Sequence, residues 1–419
     1  MSYFPLTKHQ LDWQERAREI AAKELAHRAA EVDRLGQFPK DSLDALRKEG
    51  LWGLRVDKEH GGLGEDMVTT CVIVEELSKK CPSTAMCYKM HLEGVEILSR
   101  IPTDYQVDKF VKPIAEGNIF SAAAGGESAG AGDDWTPVNT LAAITKVPGG
   151  YQLDGIRKAY VTSAGHVTHF EIRTRVGHET PQGSATKLFV EEDKIDWEIL
   201  EPWDGHGMRG NSSSPIKFSG FIPEENLLGA EHTIFEDTDR FLRPMLSLTY
   251  AAAYLGIASG AYEIALEEMP RQYRSGHRRL DNVIYQRRMA EIGTQIEAAR
   301  ALMLSAAIVF DDQKVIASGA IGVRKFGDPT LVTIEDSFHL GSCTKAMTAT
   351  LAARIVERGE ISWTTTVKEA LSLQNLDSAL ENITLLELMS HNAGMPASLK
   401  NQPPGLWKYL YYNNTWQKG

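Results

Sequence analysis

The first hundred residues alternate apolar and charged positions with the period of a helix. From Leu11 to Arg28, apolar side chains recur at spacings of three and four, with charged side chains on the opposite face, which is typical of an amphipathic helix. A second helix is predicted from Asp41, just after Pro39, and another apolar-rich helix from Met67 to Leu77. The pattern therefore predicts an all-α N-terminal domain over residues 1–118.

The period changes to that of strands over residues 119–230. Short alternating runs, such as 140–144 and 187–190, are separated by Gly, Pro and Asp turns. We therefore predict a β-barrel-like middle domain in this segment.

Helical periodicity returns from Asp237 to about Glu268, and again from Asp281 to about Ser305. The second of these helices is predicted to place five apolar residues on one face: Met289, Ile292, Ile296, Ala299 and Met303. Because two helices alone cannot cover such a face, residues 231–305 are predicted to form a partial helical bundle.

From residue 306 the pattern favours strands again, at 307–310 and 315–317, on either side of a turn. A helix is predicted from Ser342 to Arg358, with Gly359 at its left-handed cap. Residues 306–419 are therefore predicted to be an incomplete α/β segment, which makes the whole chain multidomain.

Composition excludes several classes of protein. The chain of 419 residues has a formal net charge of −11, which argues against general nucleic-acid or anionic-membrane binding. No apolar run approaches the length of a membrane span. Four cysteines without a pair of CxxC motifs favour neither a disulfide framework nor a metal site. We expect a cytoplasmic protein.

Three segments of the first 305 residues carry candidate chemistry. Gly126–Asp133 is a Gly-rich turn whose backbone N–H groups could hold a ring or phosphate edge. Tyr160 stands two residues before Thr162, so on a strand both side chains face the same side, one to stack and one to hydrogen-bond. Trp203–Gly210 is a third Gly-containing turn. Each segment alone has an ordinary structural explanation, as a plain turn or strand.

In this order, between a helical domain and a helical bundle, the three segments resemble the acyl-CoA dehydrogenase family. The resemblance covers residues 1 to about 305 and implies FAD, an acyl-CoA substrate whose α,β bond is oxidised, and a homo-oligomer. Related flavin monooxygenases share the fold. The resemblance also implies which residues contact the flavin and the substrate: Gly126, Ala131, Gly132, Tyr160, Val161 and Thr162.

The sequence departs from that family in ways that affect catalysis. Ser128 stands where proline is common, and the family's pyrophosphate-binding arginine segment has only a loose counterpart at Arg271–Gly276. The last two helices of the family, which carry the usual catalytic glutamate, have no counterpart before the chain changes character. Leu246 occupies the alternative position of the base, so no base is assigned and reduced activity is expected.

The second chemistry begins at Ser342, which is followed by Lys345 in an S-x-x-K spacing. On a helix these positions share a face, so the lysine amine can reach the serine hydroxyl. With the following segments, this motif resembles class C β-lactamases and penicillin-binding esterases. The resemblance makes Ser342 the nucleophile, Lys345 its activator and Tyr411 part of Tyr-x-Asn, with a register using Tyr412 also open.

Three hypotheses follow. The chain is a FAD-dependent, acyl-CoA dehydrogenase-like oxidoreductase with reduced activity, a serine hydrolase of β-lactamase type, or an inactive fusion of two truncated domains. The expected end of the second segment before its family's last Lys/His-x-Gly strand favours the third hypothesis for activity. The first hypothesis is favoured for ancestry.

Overall fold

Helices form the first part of the computed structural model, as the periodicity predicts. They are α1 (Lys8–Ile20), α2 (Ala26–Leu35), α3 (Lys40–Lys48), α4 (Met67–Ser78), α5 (Pro82–Arg100), α6 (Asp104–Gln106) and α7 (Lys112–Ala115). A capping box starts α1, because the Thr7 hydroxyl accepts from the Gln10 N–H at 3.2 Å and the Gln10 side chain accepts from the Thr7 N–H at 3.0 Å. The prediction of a helical N-terminal domain is confirmed.

The structure describes residues 6–127, 140–180, 184–232, 241–312, 352–353, 355–371 and 381–390. The chain divides into two compact units, Met1–Ile334 and Glu335–Gly419. Each unit is described by itself.

Strands follow the helices in the first unit. They are β1 (Ser121–Ala124), β2 (Ala143–Val147), β3 (Gly150–Val161), β4 (His169–Val176), β5 (Thr186–Glu191), β6 (Asp196–Ile199), β7 (Ser214–Pro223) and β8 (Leu227–Leu228). The order in the sheet is β6-β7-β3-β2-β4-β5-β8, with β1 paired to β4. The pairs β1–β4 and β2–β4 are parallel, and the others are antiparallel. The middle domain is therefore a mixed sheet, and its closure into a barrel stays a prediction.

Two long helices complete the described part of the first unit, α8 (Arg243–Glu268) and α9 (Val283–Asp312). Helix α8 lies directly against α4, because a Cβ atom added at Gly256 would come within 2.4 Å of the Glu75 carbonyl oxygen. A Cβ atom at Gly260 would come within 2.5 Å of the Lys79 carbonyl oxygen. Only glycine permits this backbone contact, so the two glycines set the position of α8 on the N-terminal helices.

The end of α9 corrects a prediction. The segment 307–310, predicted as a strand, continues the helix to Asp312 and crosses the predicted domain boundary at 305. Ala307 and Ile308 are buried with Met303 and Leu304 and so extend the buried stripe of the helix by one turn. Periodicity cannot distinguish a four-residue apolar run in a strand from the last turn of a buried helix.

The buried stripe of α9 differs in part from the predicted one. Ile296 and Met303 are buried as predicted, and Met289 is half-buried. Ile292 is 42% exposed, and Arg300 is buried where Ala299 was predicted, because Ala299 is exposed. Leu302 is 73% exposed. One face of α9 packs on the protein, and apolar residues of another face remain exposed.

In the second unit the described helices are α10 (Val367–Leu371) and α11 (Leu385–Met389). The helical residues 355–357 end where predicted, because Gly359 has a φ of 72° and its N–H donates to the Val356 carbonyl at 2.9 Å. The Thr384 hydroxyl caps α11 by accepting from the Glu387 N–H at 3.3 Å. The strand predicted at 315–317 lies outside the described residues.

Within the described ranges, no helix is long and apolar enough to cross a membrane. The same ranges contain no group of three or more His, Cys, Asp or Glu side chains that could hold a metal ion.

Candidate flavin site

The predicted aromatic and hydroxyl pair lies where β3 ends. Tyr160 is 64% exposed, whereas Val161 is fully buried and Thr162 is 7% exposed. The Thr162 and Ser213 hydroxyl oxygens lie 2.8 Å apart, within hydrogen-bonding distance. We expected Tyr160 and Thr162 to share one face of a strand, but β3 ends at Val161 and Thr162 begins a turn. The strand alternation therefore stops before Thr162, and the two side chains differ in exposure.

Gly126 lies beside this strand end. Its carbonyl oxygen accepts a hydrogen bond from the Ala159 N–H at 3.0 Å. In the ladder between β3 and β7 the register shifts between Lys158 and Val161, so Gly126 takes a backbone donor at the irregular stretch. The structure thus brings Gly126 next to the segment that contains Tyr160. The other two predicted loop residues, Ala131 and Gly132, lie outside the described residues.

The turn after Thr162 has a strained backbone. Ser163, Met208 and Ser212 have φ values of 68°, 50° and 49°, a region that non-glycine residues rarely adopt. The two segments hold each other, because the Ser163 N–H donates to the Asn211 carbonyl at 2.9 Å and the Ala164 N–H donates to the Ser212 carbonyl at 3.0 Å. Such strain persists only where the surrounding structure fixes it, and it is frequent at binding sites.

These residues fit a flavin. Tyr160 offers an exposed aromatic face next to buried hydroxyls, which is the combination that a planar heterocycle with polar edges needs. The Asn211 side-chain oxygen is buried and has no hydrogen-bond partner in the described part of the structure. A buried acceptor without a partner is costly unless a ligand or water satisfies it. The site therefore combines the exposed Tyr160 ring with the unpartnered Asn211 side-chain oxygen in the same strained region.

A buried ion pair that the sequence did not predict lies next to Gly126 and Ala159 in the chain. The Lys158 ammonium pairs with the Glu127 carboxylate, and both side chains are almost fully buried. Burial lowers the pKa of Lys158 to about 8, although the neighbouring Glu127 charge raises it. The signal available in the sequence was Lys158 itself, a charged residue at the alternate position between the apolar Ile156 and the aromatic Tyr160.

The structure does not test the second predicted chemistry. Ser342, Lys345 and Tyr411 all lie outside the described residues. For the first chemistry, Leu246 lies in α8 and is partly buried. A leucine cannot accept a proton, so the structure adds no base at that position.

A helical domain, a mixed sheet and a long helical pair give the first unit an acyl-CoA dehydrogenase-like fold. Sequence comparison agrees with this class. Residues 7–118 match the family described as acyl-CoA dehydrogenase, N-terminal domain, and residues 248–325 match the acyl-CoA dehydrogenase, C-terminal domain. Residues 295–415 match the family described as beta-lactamase.

Individual proteins extend the likeness to the acyl-CoA dehydrogenases. A Bacillus subtilis protein named as a probable acyl-CoA dehydrogenase is 27% identical over 328 residues, which cover 77% of this chain and 84% of the relative. The structure of butyryl-CoA dehydrogenase from Megasphaera elsdenii is 25% identical with a TM-score of 0.68, and covers 74% of this chain and 82% of its own. The FAD complex of PigA is 21% identical with a TM-score of 0.65, and covers 74% of this chain and 81% of its own.

These findings confirm the predicted similarity of the first part of the chain to acyl-CoA dehydrogenases and of the second part to beta-lactamases. They support a flavin-dependent, acyl-CoA dehydrogenase-like function with FAD as the cofactor. The two kinds of match overlap on residues 295–325, where α9 continues as one helix to Asp312.

Proposed function

We propose that the first unit is a FAD-dependent oxidoreductase of the acyl-CoA dehydrogenase type, acting on an acyl thioester and assembling as a homo-oligomer. The observation that carries the proposal is the exposed Tyr160 ring beside the buried Thr162. The similarity of this chain to proteins named as acyl-CoA dehydrogenases supports the substrate class.

The chain's own residues would orient the cofactor. The Tyr160 ring would stack on the flavin, the Thr162 hydroxyl would hydrogen-bond to its edge, and Val161 and Gly126 would border it. Ala131 and Gly132 would add to this border. Bound FAD supplies the hydride acceptor. The strained Ser163 turn would keep Thr162 in place.

The chain has no assigned base for removing the proton from the substrate. Leu246 stands at the position that the resemblance gives to a base. A missing general base reduces a rate by roughly 10²–10⁴. We therefore propose that flavin binding is retained while dehydrogenation is slow.

The test is reconstitution of the purified full chain with FAD, followed by desalting and a visible absorption spectrum. We expect the chain to retain the flavin bands. Tyr160→Ala should weaken FAD binding by roughly twofold to tenfold, because one aromatic stacking contact contributes about 0.5–1.5 kcal/mol. The matched control is Tyr105→Ala, which removes another exposed tyrosine. A colourless unaltered chain would overturn the proposal.

The match of residues 295–415 to beta-lactamases favours a second candidate function. We propose that Ser342 is an acylatable nucleophile activated by Lys345, with Tyr411 assisting proton transfer. A fluorescent penicillin should label the chain covalently, and Ser342→Ala should abolish the label. The control Ser305→Ala changes an exposed serine of α9 and should leave labelling intact. No labelling together with no bound flavin would favour an inactive fusion.

A further inference from the structure

Three consecutive residues, Gly125, Gly126 and Glu127, are fastened to the sheet just before Tyr160. The Arg173 guanidinium donates to the Gly125 carbonyl oxygen at 2.7 Å. The Gly126 carbonyl oxygen accepts from the Ala159 N–H at 3.0 Å. The Glu127 carboxylate pairs with Lys158 on β3. Each contact reaches a residue on β3 or β4, so the segment is held along its whole length.

The carboxylate of Glu127 joins three parts of the chain. Besides Lys158, it accepts hydrogen bonds from the Leu141 N–H and, at 3.3 Å, from the Ala142 N–H, which precede β2. The Lys158 side chain is fully buried, and that of Glu127 is 8% exposed. A buried ion pair is weak evidence for added stability, because desolvation opposes the attraction. The pair matters here for geometry, because the Glu127 carboxylate holds together residues 125–127, the start of β2 and the end of β3.

The pair also borders the irregular stretch of β3. The register between β3 and β7 shifts between Lys158 and Val161, and within this stretch the Ala159 N–H donates to the Gly126 carbonyl oxygen. Tyr160 follows immediately and has its ring in solvent. An extra or shifted residue in a ladder re-aims the neighbouring side chain. The exposure of Tyr160 therefore depends on how the loop is held against this stretch.

We propose that Glu127 and Lys158 are a positioning pair, which fixes Gly126 and Tyr160 relative to each other so that a planar, polar-edged heterocycle can bind beside them. This inference rests on the proposed FAD site and adds two residues to it. Neither residue is a catalytic residue, because the pair acts through Gly126 and Tyr160.

The test compares FAD affinity and the bound flavin spectrum of the full chain in three variants: Lys158→Met, Glu127→Gln and the double variant. Each single variant should raise the Kd for FAD by about tenfold, the lower end of the effect known for losing a supporting residue at a metal site. The visible bands of the remaining bound flavin should move toward those of free FAD. In the double variant no unpaired charge is buried, so thermal stability should recover while affinity and spectrum stay altered.

A second buried Lys–Glu pair provides the control. Lys187 on β5 pairs with Glu171 on β4, and both side chains are nearly fully buried. In the described part of the chain the Lys187 side chain makes no hydrogen bond to residues 125–127. Lys187→Met should lower stability comparably but change the FAD affinity by less than about twofold, because this pair joins β4 to β5 and does not join residues 125–127 to β3.

Three results would overturn the inference. Unchanged affinity and spectrum in Lys158→Met and Glu127→Gln would remove the positioning role and leave the FAD site standing. Equal weakening by Lys187→Met would show that affinity only follows stability. If the unaltered chain binds no FAD, the proposed function fails, and this inference fails with it.

Discussion

A single buried histidine joins the helical domain to the sheet. The His91 Nδ1 atom accepts from the Ser121 N–H at 3.1 Å, and its Nε2 atom therefore carries the proton that it donates to the Trp52 carbonyl oxygen at 3.0 Å. Burial lowers the pKa of His91 to about 4. The folded protein thus holds this ring neutral, with both nitrogens engaged.

This arrangement predicts a loss of stability in acid. Because the pKa of His91 is lower in the folded state than in the unfolded state, its contribution is present above about pH 6.5. It is lost as the pH falls toward 4, by up to ~1.4 kcal/mol per pH unit. Urea unfolding of His91→Gln across this range should show a shallower pH dependence than the unaltered chain. The exposed His206→Gln is the control, and equal slopes for His91→Gln and the unaltered chain would contradict the prediction.

At the same scale, the sequence predicted the candidate site only in part. It identified Gly126, Tyr160 and Thr162, because glycine, an aromatic ring and a hydroxyl are visible as residue types in order. It could not predict that β3 ends before Thr162, since the end of a strand depends on pairing with β7 rather than on local composition. The partnership of Glu127 with Lys158 joins residues that are 31 positions apart, and no local pattern reports such a contact.

At the scale of elements, α9 is attached to the N-terminal helices by Arg300. Its guanidinium donates to the Glu75 carboxylate at 2.9 and 2.7 Å and to the Ser259 hydroxyl at 3.0 Å. Burial lowers the pKa of Arg300, but the hydrogen bonds and charge of Glu75 outweigh it, so the net shift is upward. One side chain of α9 therefore binds both α4 and α8.

Arg300→Met should destabilise the chain by about 3–5 kcal/mol, because it leaves the Glu75 carboxylate buried without a partner. Urea unfolding measures this loss. Arg288→Met, which removes an exposed arginine of the same helix, should change the free energy of unfolding by less than about 0.5 kcal/mol. Equal losses in the two variants would exclude the attachment described above.

Gly256→Ala tests the contact between α8 and α4. Helix propensity alone would favour alanine by about 1 kcal/mol. The added methyl group would meet the Glu75 carbonyl oxygen at 2.4 Å, and backbone atoms cannot move away cheaply. We expect overpacking to win and to destabilise the chain by about 1–3 kcal/mol. Gly207→Ala, where nothing lies within 4 Å, is the control, and a more stable Gly256→Ala would show that the helices separate easily.

Element types were predictable wherever periodicity was sustained, as in α1, α4 and α8. The prediction at 307–310 was wrong because Ala307 and Ile308 are apolar side chains that pack the buried end of a helix, and not those of a strand. Likewise, the stripe predicted on α9 assumed that every apolar position faces a partner. The charged Arg300 took such a position instead, because Glu75 compensates its burial.

At the scale of the first unit, apolar side chains of α8 and α9 remain in solvent. Ile264, Val283 and Leu302 are 63%, 72% and 73% exposed. Exposed apolar residues in contiguous groups favour association. The formal charge of −11 of the whole chain opposes association, so substituting one of these residues tests directly whether it takes part in association.

Leu302→Glu should reduce self-association in sedimentation velocity and change the free energy of unfolding by less than about 0.5 kcal/mol, as expected for a surface position. Leu304, two residues on, is 1% exposed. Leu304→Glu should therefore disrupt the packing of the helix and lower the free energy of unfolding by several times about 0.5 kcal/mol. Unchanged association in Leu302→Glu would mean that this leucine is not part of an associating surface.

The hydrogen bonds of His91 also allow opening of the protein to be measured. Its Nε2–H donates to the Trp52 carbonyl oxygen in a turn of the helical domain, while its Nδ1 accepts from the Ser121 N–H at the first strand of the sheet. While the ring stays buried, the Nε2 proton should exchange slowly with solvent. The NMR signal of this proton in ¹⁵N-histidine-labelled protein would therefore report on opening of the structure around His91, without any added probe.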